Sequence, residues 1–282
     1  MNKLIYSALA GIALLTSHGA RAEDDALRPV CTSWMFGAGS SHIVDTYLTP
    51  LHYDGWNMTL NYQRLQAMKF NPERWTQQIN IGLEVDRTNN PAHNARLWYA
   101  GLHGSWGMMW RNQLPLGINS AIGGQVRGDA GVVYSDRNGN NPASVKADVT
   151  VGLQGMLSRR FNVGRMPVTV LWQSELPVVG AFFSPEYDEL YYEIYLGNHK
   201  SLGHCAWWGN FLRWDNLVAA DLDISNTRLR VGFQSGLLST RVNNITSRIY
   251  NFSFVVGVTT DWFSINRRRS QLPETQKIIY AL

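Results

Sequence analysis

Tyr250-Asn-Phe-Ser-Phe-Val-Val-Gly-Val-Thr-Thr-Asp-Trp262 is the stretch on which the fold turns. Side chains on a strand alternate between two faces. The even positions are Tyr250, Phe252, Phe254, Val256, Val258, Thr260 and Trp262, and the odd ones are Asn251, Ser253, Val255, Gly257, Thr259 and Asp261. One face is therefore apolar with an aromatic ring at each end, and the other is mostly small or polar. At ~3.3 Å per residue and a tilt of ~40°, such a strand rises roughly 30 Å, about the thickness of a bilayer's hydrocarbon core with its interfaces. It reads as a transmembrane β-strand.

The same alternation recurs along the chain. Strands are predicted at Ser33–Ser40, Trp56–Gln63, Trp75–Asp86, Trp98–Trp110, Ile118–Tyr134, Val145–Leu157, Val168–Leu176, Leu212–Ile224, Leu229–Leu237 and Tyr250–Trp262. Their connections alternate between long and short, as in barrels with short periplasmic turns and long external loops. The fold class is all-β: an antiparallel up-and-down transmembrane β-barrel of about ten strands. Twelve are expected instead if Leu190–Leu196 also pairs. Trp56, Trp98, Tyr134, Trp214 and Tyr250 form an outer aromatic girdle, and Trp75, Trp110, Phe161 and Trp262 an inner one. A soluble β-sandwich also alternates, but its strands usually run to ~5–6 residues.

Composition agrees with a barrel: 11 Trp, 12 Tyr, 10 Phe and 25 Gly, with only 16% charged residues. No segment after the N-terminus offers the ~18 consecutive apolar residues of a membrane-spanning helix. Residues 1–22 read as an export signal, with Lys3 before an apolar run and Ala20-Arg-Ala22 as the cleavage site. Residues 23–32 are expected to be a periplasmic lead-in, residues 33–263 the barrel and residues 264–282 a tail. The tail is read as a periplasmic extension, or its last residues, 278–282, as a short strand. Cys31 and Cys205 fall at opposite ends of the barrel and are expected to be free thiols.

The inward face carries charges of both signs: Glu84, Asp86, Asp129, Asp148, Glu175, Asp215, Asp221 and Asp223, with Arg127, Lys146, Arg213, Arg228 and Arg230. Charges in so narrow a bore must pair or hydrate. The network is either a packed ion-pair core or the lining of a narrow pore. Rim residues that could serve a hydrolase are Ser41, His42, Asp45 and His52, and Ser184 with His199 or His204. Omptin-type proteases, as a family, work with Asp pairs and an Asp–His pair, for which Asp86, Asp136 and Asp188 are further candidates. No phosphate-binding loop, dinucleotide fingerprint or metal-ligand spacing is present. No cofactor, metal or nucleic-acid partner is expected.

Three segments carry a resemblance. They are Ile43-Val-Asp-Thr-Tyr-Leu-Thr-Pro50 with Tyr53-Asp-Gly-Trp56, then Arg137-Asn-Gly-Asn-Asn-Pro-Ala143, then Phe183-Ser-Pro-Glu-Tyr187 continuing into Tyr191–Asn198. Together they resemble a domain-of-unknown-function family of exported proteins from Gram-negative gut bacteria, over nearly the whole mature chain. The resemblance implies a one-domain outer-membrane-type protein and supplies no activity. All three segments fall in predicted external loops, so Asp45, Tyr47, Asn141, Glu186, Tyr192 and Glu193 form a candidate loop site for a small molecule or glycan. The expected partners are the outer-membrane bilayer and its insertion machinery, with the protein a monomer.

Overall fold

The computed structural model describes residues 27–139, 141–187, 189–197, 201–224, 227–262 and 278–281. The predicted export signal, the candidates Asp188 and His199 and most of the predicted tail lie outside them. Long runs of alternating residues cannot bury both faces in a small domain. Here they curl into a tube instead. The strands are β1 (Val30–Asp45), β2 (Thr49–Ala67), β3 (Trp75–Asn89), β4 (Arg96–Leu114), β5 (Ile118–Ser135), β6 (Ala143–Val163), β7 (Met166–Phe183), β8 (Gly203–Trp207), β9 (Phe211–Ile224), β10 (Thr227–Val242) and β11 (Ile245–Trp262). Among the described residues a short α-helix, α1, spans Tyr191–Tyr195.

Every pairing is antiparallel between chain neighbours, with two exceptions. β1 pairs with β11 from Val30↔Trp262 to Asp45↔Ser247, which closes the ring. β7 is shared: its Val168–Glu175 half pairs with β9, and its Val179–Phe183 end pairs with β8. β8 and β9 thus follow one another along the edge of β7. Eleven strands belong to the sheet, and all but β8 form the closed wall, so the ring has ten. The twelve-strand alternative fails because the Leu190 region forms α1.

The strands are longer than their sequence pattern suggested. β1 begins at Val30 and runs to Asp45, so residues 30–32 and Cys31 belong to the wall rather than to a lead-in. The predicted first and last external loops are mostly strand, and only residues 46–48 and 243–244 turn the chain there. Longer connections at the same end cover residues 90–95, 136–142 and 184–202; we call this the upper end. The lower end holds tight turns such as Pro115–Gly117, where Leu116 and Gly117 adopt φ of 66° and 70°.

The outer wall is greasy. Trp34, Phe36, Leu60, Leu83, Leu102, Val126, Val151, Val218, Phe254 and Val256 are exposed on it. Such a belt, bounded by aromatic rings, is what a bilayer covers. Trp75 and Trp110 pack at 5.9 Å between centroids near the lower edge, and Trp56 and Trp98 meet edge-on at 6.3 Å near the upper one.

The interior is layered, and the inward residues of β9 display the sequence of layers. Phe211 joins an apolar cap at the upper end with Ile43, Leu97, Val133, Leu238 and Ile249. Arg213 and Asp215 follow in a charged layer. Leu217 and Ala219 then pack with Met35, Leu171 and Val255. Asp221 starts a second charged layer. Below it Cys31, Leu65, Met109, Ala121 and Met156 gather around Ala281. That last residue brings the end of the chain into the lower mouth. There Leu27 bridges Ile278 in parallel, and Arg111 donates to the Tyr280 carbonyl. Cys31 is buried and Cys205 exposed, and both are free.

Gly82 shows how tightly the bore is filled. It pairs with His103 across β3–β4. A Cβ there would lie 2.2 Å from His103 Cε1 and 2.4 Å from Asn61 Oδ1. Gly82→Val should destabilise the barrel by about 1–3 kcal/mol through overpacking. The check is the temperature at which the compact, heat-modifiable gel form disappears, which should fall.

Candidate functional site

The predicted inward charges all project into the bore, but they divide into separate groups. The central group forms around two arginines. Arg127 Nε and Nη2 donate to the two Asp129 oxygens at 2.8 and 3.0 Å. Arg127 Nη1 donates to Glu175 Oε2 at 3.1 Å and also to Asp215. Arg213 Nη1 lies 3.0 Å from Asp129 Oδ1, and its Nη2 donates to Asp148 Oδ2 at 3.0 Å. Two guanidiniums therefore hold four carboxylates. Beside them, Asn251 donates to Glu84 and Ser41 Oγ to Asp86. A cavity of about 90 Å³ lies between Asn80, Glu84, His103, Glu175 and Asp215. That is room for a few waters.

Other members of the predicted network are elsewhere. Arg230 and Asp221 are completely buried in a bidentate pair at 2.7 and 2.8 Å. Arg228 pairs with Asp261 at 2.8 Å in the lower mouth, where Arg160 also pairs with Asp223 at 2.6 Å. Lys146 reaches upward to Asp45 at 2.8 Å.

Amides complete the interior and were missed in the sequence, since Asn and Gln on a lumenal face look like ordinary solvated residues. Arg230 Nη1 donates to Gln63 Oε1 at 3.0 Å. Gln63 Nε2 then donates to Gln173 Oε1 at 2.6 Å. β2 and β7 stand on opposite sides of the ring, so this bond spans the bore. Asn80 from β3 likewise reaches Glu175 on β7, and Asn61 Nδ2 donates to Gln234 Oε1 at 3.0 Å.

At the upper end the candidate loop site comes together only in part. Asp45 is buried on Lys146. Tyr47 donates to the Glu189 carbonyl at 2.7 Å and receives a bond from Asn141. Burial pushes the Tyr47 phenol up, which keeps it a donor. The Tyr191 ring meets Tyr47 edge-on, and its hydroxyl accepts from the Val145 amide at 2.7 Å. These contacts tie the 46–48 turn, the 136–142 connection and α1 into one lid. Glu186 and Tyr192 face outward, and Glu193 caps α1 by accepting from the Leu190 amide at 3.3 Å.

The rim residues proposed for hydrolysis are scattered. Ser41 faces the bore, not His42. Ser184 is buried and donates to the Pro185 carbonyl, while His204 lies 3.1 Å from the Ser184 carbonyl rather than its hydroxyl. Asp136 accepts from the Arg96 amide at 2.9 Å. Among the described residues no serine hydroxyl bonds a histidine. His42 has a different partner from the one expected: Asp54, directly across the β1–β2 pair, with Nδ1···Oδ1 at 2.5 Å. His52 Nδ1 stands 3.4 Å from His42 Nε2, and Tyr250 stacks on His42. Among the described residues no three His, Cys, Asp or Glu side chains are placed to hold a metal ion together.

Removing one partner of a fully buried ion pair strands the other charge. Asp221→Ala should cost about 3–5 kcal/mol of stability. Adding Arg230→Met should restore most of that loss. Urea unfolding of both variants in detergent checks this, and equal losses in both would remove the ion pair from the account.

No functionally curated protein matches the chain. Among solved structures it is similar to the outer membrane protease OmpT from Escherichia coli, at 9% identity and a TM-score of 0.48, over 88% of this chain and 100% of that one. It is also similar to the β domain of the Bordetella autotransporter BrkA, at 11% identity and a TM-score of 0.41, over 84% and 100%. A third similarity is to an outer membrane channel from Pseudomonas putida F1, at 10% identity and a TM-score of 0.31, over 87% and 98%. Residues 7–269 match the family described as "Protein of unknown function (DUF3316)", and the chain belongs to that family.

Proposed function

We propose that the protein is exported, inserted into the outer membrane by the insertion machinery there, and works as a monomeric, non-conducting barrel. The upper end faces outside and is its working surface. The carrying observation is the Gln63–Gln173 bond, which joins opposite walls of the ring. Above it the central charged group and the apolar cap also fill the bore, and the guanidiniums of Arg127, Arg213 and Arg230 are held by carboxylates of the interior. An ion entering would have to break those contacts without a wide aqueous path in exchange. The balance favours a packed core over a narrow pore.

The lid supports a binding role for the upper end. Tyr187, Tyr192 and Tyr195 are 61%, 66% and 84% exposed there, while the backbone beneath them is tied down by Tyr47 and Tyr191. Exposed rings on a fixed backbone lose little entropy on binding. Sugar faces of outer-leaflet or host glycans suit such a surface.

Planar-bilayer recordings test the first part. The folded protein should give no steady single-channel current, and ohmic steps that change with Asp129→Ala would favour the pore. A glycan array tests the second. Retention of a defined oligosaccharide should be lost in the Tyr187→Ala, Tyr192→Ala, Tyr195→Ala triple variant. An identical binding profile would remove the lid as the site.

A further inference from the structure

Two imidazoles face each other on the outer wall of the β1–β2 hairpin, above the lipid belt. His42 Nε2 and His52 Nδ1 are 3.4 Å apart, with ring centroids at 5.5 Å and planes tilted by 41°. That spacing is long for a hydrogen bond from N–H, which usually falls at about 2.7–3.2 Å. It also matches the edge of a coordination tetrahedron. Two nitrogens each ~2.0–2.1 Å from a Zn²⁺ ion, at the tetrahedral angle, lie about 3.3–3.4 Å apart. Adjacent ligands of a square-planar ion would stand closer, at roughly 2.9 Å.

The surroundings of His42 fit a ligand. Asp54 accepts from its Nδ1 at 2.5 Å, which places the proton on that nitrogen and leaves the Nε2 lone pair, on the side of His52, open to an ion. A carboxylate behind a histidine is the usual support of a metal-bound imidazole, setting both tautomer and ring angle. Tyr250 lies parallel to the ring, with centroids 6.0 Å apart and planes at 10°. The ring is therefore held from one edge and one face before any ion arrives. Cross-strand register supplies this arrangement: His42 pairs with Asp54 and with Tyr250, while His52 pairs with Val44 and reaches His42 diagonally.

We propose that His42 and His52 bind a Zn²⁺ ion, with Asp54 as the positioning residue behind His42. The remaining coordination positions are open to water or to an oxygen of an external molecule. The side chains of His42 and Asp54 are 32% and 75% exposed, so the ion enters from the outer surface without rearrangement of the wall. The site is independent of the bore and of the lid.

The test uses the mature chain without a histidine tag, folded in detergent and stripped with chelator, titrated calorimetrically with Zn²⁺ alone. One equivalent should bind at submillimolar concentration. Binding should be lost in His42→Ala and in His52→Ala, and weakened ten- to a hundred-fold in Asp54→Asn. All three variants should keep the heat-dependent gel shift. Co²⁺ in the same chain should give the intense visible absorption of a tetrahedral ion, which needs no variant to fold. Absence of stoichiometric binding, binding unchanged in both histidine variants, or a pale octahedral Co²⁺ spectrum would each overturn the proposal.

Discussion

A ring of ten strands leaves a bore only slightly wider than the side chains that line it, and those side chains cannot be dry and polar at once. Everything inside this protein answers that constraint. Arg230 on β10 is held by Asp221 on the neighbouring strand and then handed on to Gln63. Gln63 in turn meets Gln173 from the far wall. The charged layers alternate with apolar ones, so the Arg230–Asp221 pair lies between apolar groups above and below it. Coulomb attraction strengthens in such a setting, but so does the penalty for a missing partner. The charged side chains of the interior consequently hold one another across the bore, with two guanidiniums shared among four carboxylates at its centre.

Much of this was written in the alternation. A lipid-facing wall and a polar bore impose a strict period of two, so Tyr250–Trp262 and its counterparts declared both the tube and the identity of its inward charges. The alternation of long and short connections held only in part, since the first and last upper connections shrink to residues 46–48 and 243–244. What alternation does not encode is depth. Lys146 and Arg127 both point inward, yet one reaches the upper rim and the other the centre, and only strand register decides which acid each finds. Register likewise placed Asp54, not Asp45, beside His42.

The upper end was read least well, and for a physical reason. Polar, turn-rich stretches such as Ser41–Gly55 look like loops when strands are expected to stop at the edge of a bilayer. Nothing requires them to stop. A hairpin already in register continues to gain ladder hydrogen bonds in water, and β1, β2, β10 and β11 extend well past their apolar spans. The upper surface is therefore built on wall backbone, with the 136–142 connection and α1 folded over it. Rigidity there comes from the barrel itself.

The pairing of Val30 with Trp262 has a temporal meaning. The first strand of the wall cannot find one of its two partners until the last has been delivered, so a ring-closing contact spans almost the whole described chain. Contacts of such sequence separation carry the largest chain-entropy cost and form slowly. Until then two strand edges with apolar outer faces remain unpaired, the condition most prone to intermolecular pairing. The route from ribosome to membrane must therefore keep those edges apart from other chains, and assembly ends in a single late step that removes both at once.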